Sequence, residues 1–284
     1  MKTIYHFSGA GNDFVVIDGR EGDVSAYREV PRIEALCKQY KTDGLMILGM
    51  PDQVGHDDGS TGSAAFMADR DRPSVDFTME FYNPDGSGGM MCGNGGRCIV
   101  AFADYLGIKP ASGGVFLFMA PDGLHTGEIL ERPEDGLWTV RIKMIDVQGI
   151  TPMLGGYFLN TGTRHFVKFV EDVEQVDVDA EGKALRWNEA FAPIGTNVNF
   201  VHVAPDGLHV RTFEKGVEGE TLACGTGLTA SALVAHHAGV PTATPGAYRL
   251  RARQDWLSVN FTPGADEKFT DVYLTGPARL VEIR

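Results

Sequence analysis

Cysteine is scarce in this chain of 284 residues. Four thiols are too few for a disulfide scaffold, and a reduced, cytoplasmic setting is the default expectation. Long hydrophobic runs are lacking as well: no apolar stretch reaches the roughly 18 residues of a membrane span. Basic residues are in deficit, 25 against 38 acidic, for a formal charge of −13. With no basic stripe to offset it, that balance argues against nucleic acid and anionic membranes as partners. The opening MKTIYHFSGAGNDF has no charged n-region, long apolar core or small-residue cleavage site, so a signal peptide is not expected. Metal and cofactor signatures are missing too. Cys92 and Cys98 stand in C-x5-C, which is not a usual zinc spacing, and no HExxH helix occurs. GAGNDF lacks the third glycine of a dinucleotide fingerprint. The expectation is a soluble protein with neither metal nor cofactor. Its 43% hydrophobic content suffices for one large core or two ordinary ones.

Glycine, by contrast, is abundant: 36 residues, about one in eight, where roughly 7% is usual. Many cluster around two cysteines, in NPDGSGGMMCGNGGRC (83–98) and EKGVEGETLACGTG (214–227). Each cluster sets a Cys-Gly pair directly before an apolar run, RCIVAFADYLG or LTASALVAHHAG, that reads as a helix ending at a glycine. Cys92 to Gly107 spans fifteen positions, as does Cys224 to Gly239, and a β-branched residue follows each time, Ile108 and Val240. GNDFVVI near the amino terminus and TRHFVKF in the second half form a further matched pair. This is an internal repeat. It divides the chain into halves 1–148 and 149–284, the final strand being able to return to the first half. The offset between the two matched pairs is absorbed by a polar, glycine-rich insertion at about 51–73, expected as an exposed loop.

Most of the remainder alternates as strands do. VDFTMEFY, GLWTVRIKM, GLHVRTF, WLSVNF and DVYLTG are separated by Gly, Pro and Asp turns. Helical signal is confined to Val30–Tyr40 and the two runs after the cysteines. The fold class predicted is α+β, as two pseudo-symmetric domains, each a mostly antiparallel sheet wrapped around a central helix.

A thiol at a helix start feels the positive end of the macrodipole and unsatisfied N–H groups, which favour the thiolate. Neighbouring glycines let the backbone approach a ligand and leave amides for an anion. A lone Cys-Gly before a helix is more often a small buried residue than a catalytic one. Two at matched positions of a duplication point to chemistry: a base and an acid on opposite faces of one carbon, inverting it. Cys37 and Cys98 lack that setting and are expected in the core. His236 and His237 fit the end of the second helix as dipole-complementing residues.

The motifs GAGNDFVVID, FYNPDGSGGMMCGNGGRC, GTNVNFV, ETLACGTG and LTGPARLVEI together resemble those of the diaminopimelate epimerases, across nearly the whole chain and in order. The related proline racemases typically have histidine where Asn94 stands. The resemblance implies two pseudo-symmetric domains and epimerisation of the α-carbon of diaminopimelate, in lysine and cell-wall precursor synthesis, without pyridoxal phosphate or metal. It also implies that Cys92 and Cys224 are the acid–base pair. The amides of Gly93 and Asn94, and of Gly225 and Thr226, would cradle the α-carboxylate. His165 and Glu214 match the polar pair near the α-amino group and the cysteines. Asn12, Asn83 and Asn197 match asparagines that bind the substrate, an amide being both donor and acceptor; turn stabilisation is the structural alternative for each. Homodimers are common in the family.

Three departures bear on substrate identity. Lys215 stands where the family has an arginine that grips the distal carboxylate, and lysine keeps the charge but loses the bidentate fork. Arg164 replaces a proline before His165 and is a candidate for the missing guanidinium. The segment Tyr40–Gly44 is shortened. A racemase of another amino acid on the same fold is therefore the alternative function, separable by a substrate panel. A non-catalytic amino-acid-binding or thiol-redox protein is a third reading, which the lack of C-x-x-C disfavours. The two-base reading expects the folded chain to bring the sulfurs of Cys92 and Cys224 close together.

Overall fold

The computed structural model describes residues 2–51, 74–89 and 91–284. Nearly all of the insertion expected at 51–73, residues 52–73, lies outside the described residues. The chain forms two compact units, one reaching to Ile142 and including Pro277–Arg284, the other Lys143–Gly276.

In the first unit, β1 (Ile4–Gly9) and β2 (Asn12–Asp18) form an antiparallel hairpin. Ala10 and Gly11 turn it, both at positive φ (58° and 90°), as a two-residue turn requires. Helix α1 (Val30–Tyr40) leads to β3 (Gly44–Gly49), parallel to β2 with Phe14 opposite Gly44. Strand β4 (Phe77–Tyr82) runs antiparallel to β3 and turns Phe77, Met79 and Phe81 inward, the alternation visible in VDFTMEFY. Helix α2 (Gly93–Tyr105) crosses to β5 (Val115–Ala120), parallel to β4, and β6 (Gly123–Glu134) and β7 (Leu137–Lys143) follow antiparallel.

The second unit opens with two short strands, β8 (Val147–Gln148) and β9 (Thr151–Met153). It then repeats the order of the first. β10 (Gly156–Asn160) and β11 (Arg164–Phe169) form a hairpin, α3 (Val178–Arg186) follows, and β12 (Asn197–Ala204) lies parallel to β11. β13 (Gly207–Glu214) returns antiparallel, with the short β14 (Gly219–Thr221) on its edge. Helix α4 (Gly225–His237) leads to β15 (Ala247–Arg251), parallel to β13, then to β16 (Trp256–Pro263) and β17 (Lys268–Ile283). The distal part of β17 belongs to the first unit, where Ile283 pairs with Tyr5 of β1. The architecture is α+β with two pseudo-symmetric units.

Helices α2 and α4 form the cores. Gly93–Ala103 is buried without interruption, and in α4 only Thr226 among the first eleven residues is not fully buried. Burial around a whole helix needs an all-round apolar or small surface, which CIVAFA and LTASALVA supply. Both helices end alike. The N–H of Ile108 reaches Ala103 O and that of Val240 reaches Ala235 O, with Gly107 and Gly239 left-handed between them. This 6→1 closure explains the glycine and the apolar residue that follows it in both copies.

Helix α3 was not expected. Asp177 caps it through Ala180 N, acidic residues sit in its first turn and basic ones in its last. It packs through Val178, Gly182 and Leu185, and the approach at Gly182 is close: a Cβ there would lie 2.4 Å from Cβ of Phe213. Cys37 and Cys98 are in the core as expected, and burial raises both thiols above their ordinary value.

Phe102 is fully buried at the centre of α2, with Tyr5 and Phe7 at centroid distances of 4.8 and 5.6 Å. Phe102→Ala should cost about 3–5 kcal/mol of stability, read as a lower urea midpoint; an unchanged midpoint would contradict α2 as the core of its unit.

Candidate active site

In the first unit Cys92 is the N-cap of α2, with extended backbone (φ −98°, ψ 149°). Its sulfur accepts a hydrogen bond from Gly95 N–H at 3.1 Å, and its carbonyl accepts from Gly96 N at 2.8 Å. Gly93 and Asn94 open the helix, where the helix itself supplies no carbonyl for the amides. The preceding residue is held from outside: Met91 N donates to Asp122 Oδ1 (3.1 Å), which also meets His125 Nε2 (3.1 Å).

Behind the cap lies an ordered amide chain. Arg97, fully buried, donates to Asn94 Oδ1 (2.9 Å), Gly93 O (3.2 Å) and Pro277 O (3.3 Å). Guanidinium only donates, so the oxygen of Asn94 faces it and the Asn94 amide nitrogen donates to Asn12 Oδ1. The Asn12 nitrogen in turn reaches Asp43 Oδ2 at 3.3 Å, the same oxygen that receives Asp13 N at 2.8 Å. The structure thus brings Asn12 and Asn94 together. Asn83 sits in the turn at 83–88, with its side-chain nitrogen on Ser87 Oγ (3.0 Å).

In the second unit Cys224 is the buried N-cap of α4, and its Sγ lies 3.5 Å from Thr226 Oγ1. His165, on β11 opposite Asn197 of β12, is fully buried. Its Nε2 stands 2.9 Å from both Thr226 Oγ1 and Thr163 Oγ1. Asn197 donates to Arg164 O (2.8 Å) and Thr163 Oγ1 (3.3 Å), and accepts Lys215 N (2.8 Å). Glu214 ends β13 and accepts from Thr221 Oγ1 at 2.9 Å. Lys215 is exposed. Cys224, Thr226, His165 and Asn197 therefore form one hydrogen-bonded group.

Arg164 stands apart from that group. Successive strand residues face opposite sides, so Arg164 projects away from His165: it donates to Phe191 O (3.2 Å) and lies 5.1 Å over the Phe158 ring. Four contributors lay outside the sequence reading: Arg97, Asp43, Thr163 and Asn199. Two had legible signals. Arg97 follows Asn94 by three on a helix, and Asn199 follows Asn197 by two on a strand, spacings that share a face.

Burial pushes the His165 imidazole down to about 3. The elements beside β11, namely β10, β12 and α4, carry no Asp or Glu to counter this. Among the described residues no group of three or more His, Cys, Asp or Glu could hold a metal ion, and no helix is long and apolar enough to cross a membrane.

Two like units, each opening a buried helix on a Cys-Gly step, place the chain in a fold class with known members. A hydroxyproline epimerase from Agrobacterium vitis, solved with trans-4-OH-L-proline, matches with TM-score 0.62 at 15% identity, over all of this chain and 91% of that one. A PhzF-family phenazine biosynthesis protein from Bacillus anthracis matches with TM-score 0.69 at 11% identity, over 100% and 98%. At such identities the likeness is one of fold.

Sequence supplies the family. The diaminopimelate epimerase family model matches residues 157–281. The diaminopimelate epimerase of Chlorobaculum tepidum is 37% identical over 96% of this chain and 97% of its own length. That of Flavobacterium psychrophilum is 34% identical over 98% and 97%, and that of Aquifex aeolicus 36% over 96% and 93%. The chain belongs to the diaminopimelate epimerase family and is an isomerase.

The His165 environment has a consequence for stability. A histidine ordinarily titrates near 6.5, so between about 6.5 and 3 the unfolded chain binds a proton that the folded chain refuses. Its contribution is fully present above the unfolded value. It is lost as pH falls, by up to about 1.4 kcal/mol per pH unit. Urea titrations should show a shallower acid limb in His165→Gln than in the parent; parallel limbs would mean that His165 protonates in place.

Proposed function

We propose that this protein epimerises LL-diaminopimelate to the meso isomer by two-base catalysis, with Cys92 and Cys224 as the acid–base pair. The reaction serves lysine and peptidoglycan precursor synthesis in the cytoplasm. The observation that supports this most strongly is the repeated helix start: a cysteine N-cap followed by first-turn amides, once in each unit, in a chain of this family.

Inversion at a carbon requires removal of a proton on one face and delivery on the other. One cysteine, as thiolate, takes the α-proton; the other, as thiol, supplies its own to the opposite face, and the two exchange protonation states. The reverse direction uses the same pair with roles exchanged, and the proton count closes with thiols alone. The α-carboxylate must accept charge as the α-carbon becomes carbanion-like. The amides of Gly93, Asn94, Gly225 and Thr226 meet that need, since first-turn N–H groups and the helix dipole stabilise negative charge.

His165 and Glu214 form the polar surroundings of the cysteines and the α-amino group. Asn12, Asn83 and Asn197 bind the distal amino-acid end. For the distal carboxylate the observations favour Lys215: it is exposed, its backbone is fastened to Asn197, and Arg164 projects from the other face of β11.

Incubation with LL-diaminopimelate in deuterated water should yield the meso isomer with deuterium at the inverted carbon. Cys92→Ala and Cys224→Ala should each abolish turnover; full activity in either variant sinks the two-base assignment. A panel of L-amino acids should show no racemisation comparable with diaminopimelate, and a better substrate among them would move the assignment to another racemase. Mild oxidation with diamide should join Cys92 and Cys224, detectable by peptide mass spectrometry. Failure to form that disulfide under conditions that inactivate the enzyme would count against paired sulfurs.

A further inference from the structure

Asn199, on β12, is completely buried, and its amide makes contacts on every side. Its Nδ2 lies 3.1 Å from Phe166 O and 3.1 Å from His165 Nδ1, while its Oδ1 accepts from Thr212 Oγ1 at 3.0 Å. A backbone carbonyl accepts and cannot donate. The nitrogen of Asn199 must therefore face Phe166 O, and turning the amide over would set two acceptors against each other. With one N–H on Phe166 O, the other points at His165 Nδ1, which has to be a bare lone pair. The single ring proton then resides on Nε2, 2.9 Å from both Thr226 Oγ1 and Thr163 Oγ1. Of the two hydroxyls, that of Thr163 already accepts from Asn197 Nδ2 (3.3 Å), and that of Thr226, receiving the ring proton as an acceptor, has its own hydrogen to offer Cys224 Sγ at 3.5 Å.

A second observation shows that the fold makes room for this amide. Gly227, in the first turn of α4, packs against it so closely that a Cβ there would stand 2.3 Å from Asn199 Oδ1. The second glycine of ACGTG is thus explained by the Asn199 side chain and not by φ.

We infer that Asn199 is a positioning residue: it holds His165 as the neutral Nε2–H tautomer, so that the ring donates through the Thr226 hydroxyl toward the Cys224 sulfur and never takes the cysteine's proton. The catalytic consequence rests on the reading of Cys224 as acid and base; the tautomer does not. In either direction of the reaction the α-proton passes between carbon and sulfur, and His165 keeps its one proton throughout. The relay stabilises the thiolate form of Cys224 by hydrogen bonding. Around the ring, the titratable groups on the packed elements are Tyr157 on β10, His202 on β12, and Cys224, His236 and His237 on α4. Of these, Tyr157 packs on Phe169 and His237, His202 on His209, His236 on Phe261, and His237 pairs with Glu267, which leaves Cys224 as the group linked to the ring.

The test is a long-range 1H–15N correlation spectrum of the full-length protein labelled with 15N-histidine, the ring of His165 assigned by through-bond correlations. Wild type at neutral pH should show His165 as Nε2–H and uncharged. A ring in the Nδ1–H or imidazolium form overturns the inference without any variant. Asn199→Asp replaces the donor by an acceptor of the same shape. It should move the ring proton to Nδ1 and lower kcat on the order of 100-fold with KM little changed. Loss of turnover with the ring still Nε2–H would make Asn199 merely structural. Should Asn199→Asp fail to fold, the wild-type spectrum alone decides. A wild-type ring in the Nε2–H form in a protein without diaminopimelate epimerase activity would overturn the proposed substrate while leaving the tautomer assignment standing.

Discussion

Both units depend on burying an α-helix from its first residue onward. A helix start leaves unsatisfied N–H groups, and surface helices ordinarily give these to water. Here α2 and α4 begin inside their units, so the entering residues have to be small and the amides have to find other acceptors. At Cys92 the cysteine sulfur takes one of them, from Gly95. The same constraint dictates the glycines: a Cβ at Gly95 would press on the sulfur of Cys92, and one at Gly227 would strike Asn199. The packing requirement that made glycine necessary thus sets first-turn backbone N–H groups beside a thiol. The chemistry proposed for these thiols would be a by-product of how the core is entered.

Behind each helix start the second layer solves the same problem by different means. In the first unit a buried arginine orients two asparagines in series, because a guanidinium admits only oxygen at its face. In the second a buried asparagine orients a histidine, because a carbonyl admits only nitrogen. Each arrangement sets the direction of a hydrogen-bond chain by one group whose polarity cannot be reversed. Side chains that could be read either way, an amide or an imidazole, thereby acquire a single orientation. The duplication has kept the backbone design and let the polar anchors diverge.

Much of this was legible in the sequence, for reasons that can be stated. Equal spacing from cysteine to glycine in both copies revealed the repeat because the 6→1 helix closure needs glycine in the left-handed region at a fixed distance from the cap. The alternation in VDFTMEFY revealed β4 because one face of that strand is wholly buried. Helix α3 was not legible, since its apolar face is short: Gly182 stands between Val178 and Leu185 on the side that meets Phe213. Asn199 was not legible as a site residue because it acts through His165 from a fully buried position, although its strand face is shared with Asn197. Arg164 shows the same rule in reverse: its adjacency to His165 along the chain puts it on the opposite face, and its guanidinium serves Phe191.

The acidic surface and the proposed carboxylate-binding centre are compatible for a reason of scale. A formal charge of −13 acts through solvent, where at physiological ionic strength exposed charges are screened over about 8 Å. The donors at the helix starts would act at hydrogen-bond distance and in partly buried surroundings, where screening is weak and each interaction counts for more. Keeping His165 neutral fits the same economy. An imidazolium there would need a buried counter-charge, and the elements packed against β11 supply no carboxylate. A neutral N–H relayed through Thr226 would stabilise sulfur without fixing a permanent charge beside it. The two-base reaction proposed for the cysteines, run in both directions, needs thiol and thiolate of Cys224 alike, whereas a buried cation at His165 would favour the thiolate alone.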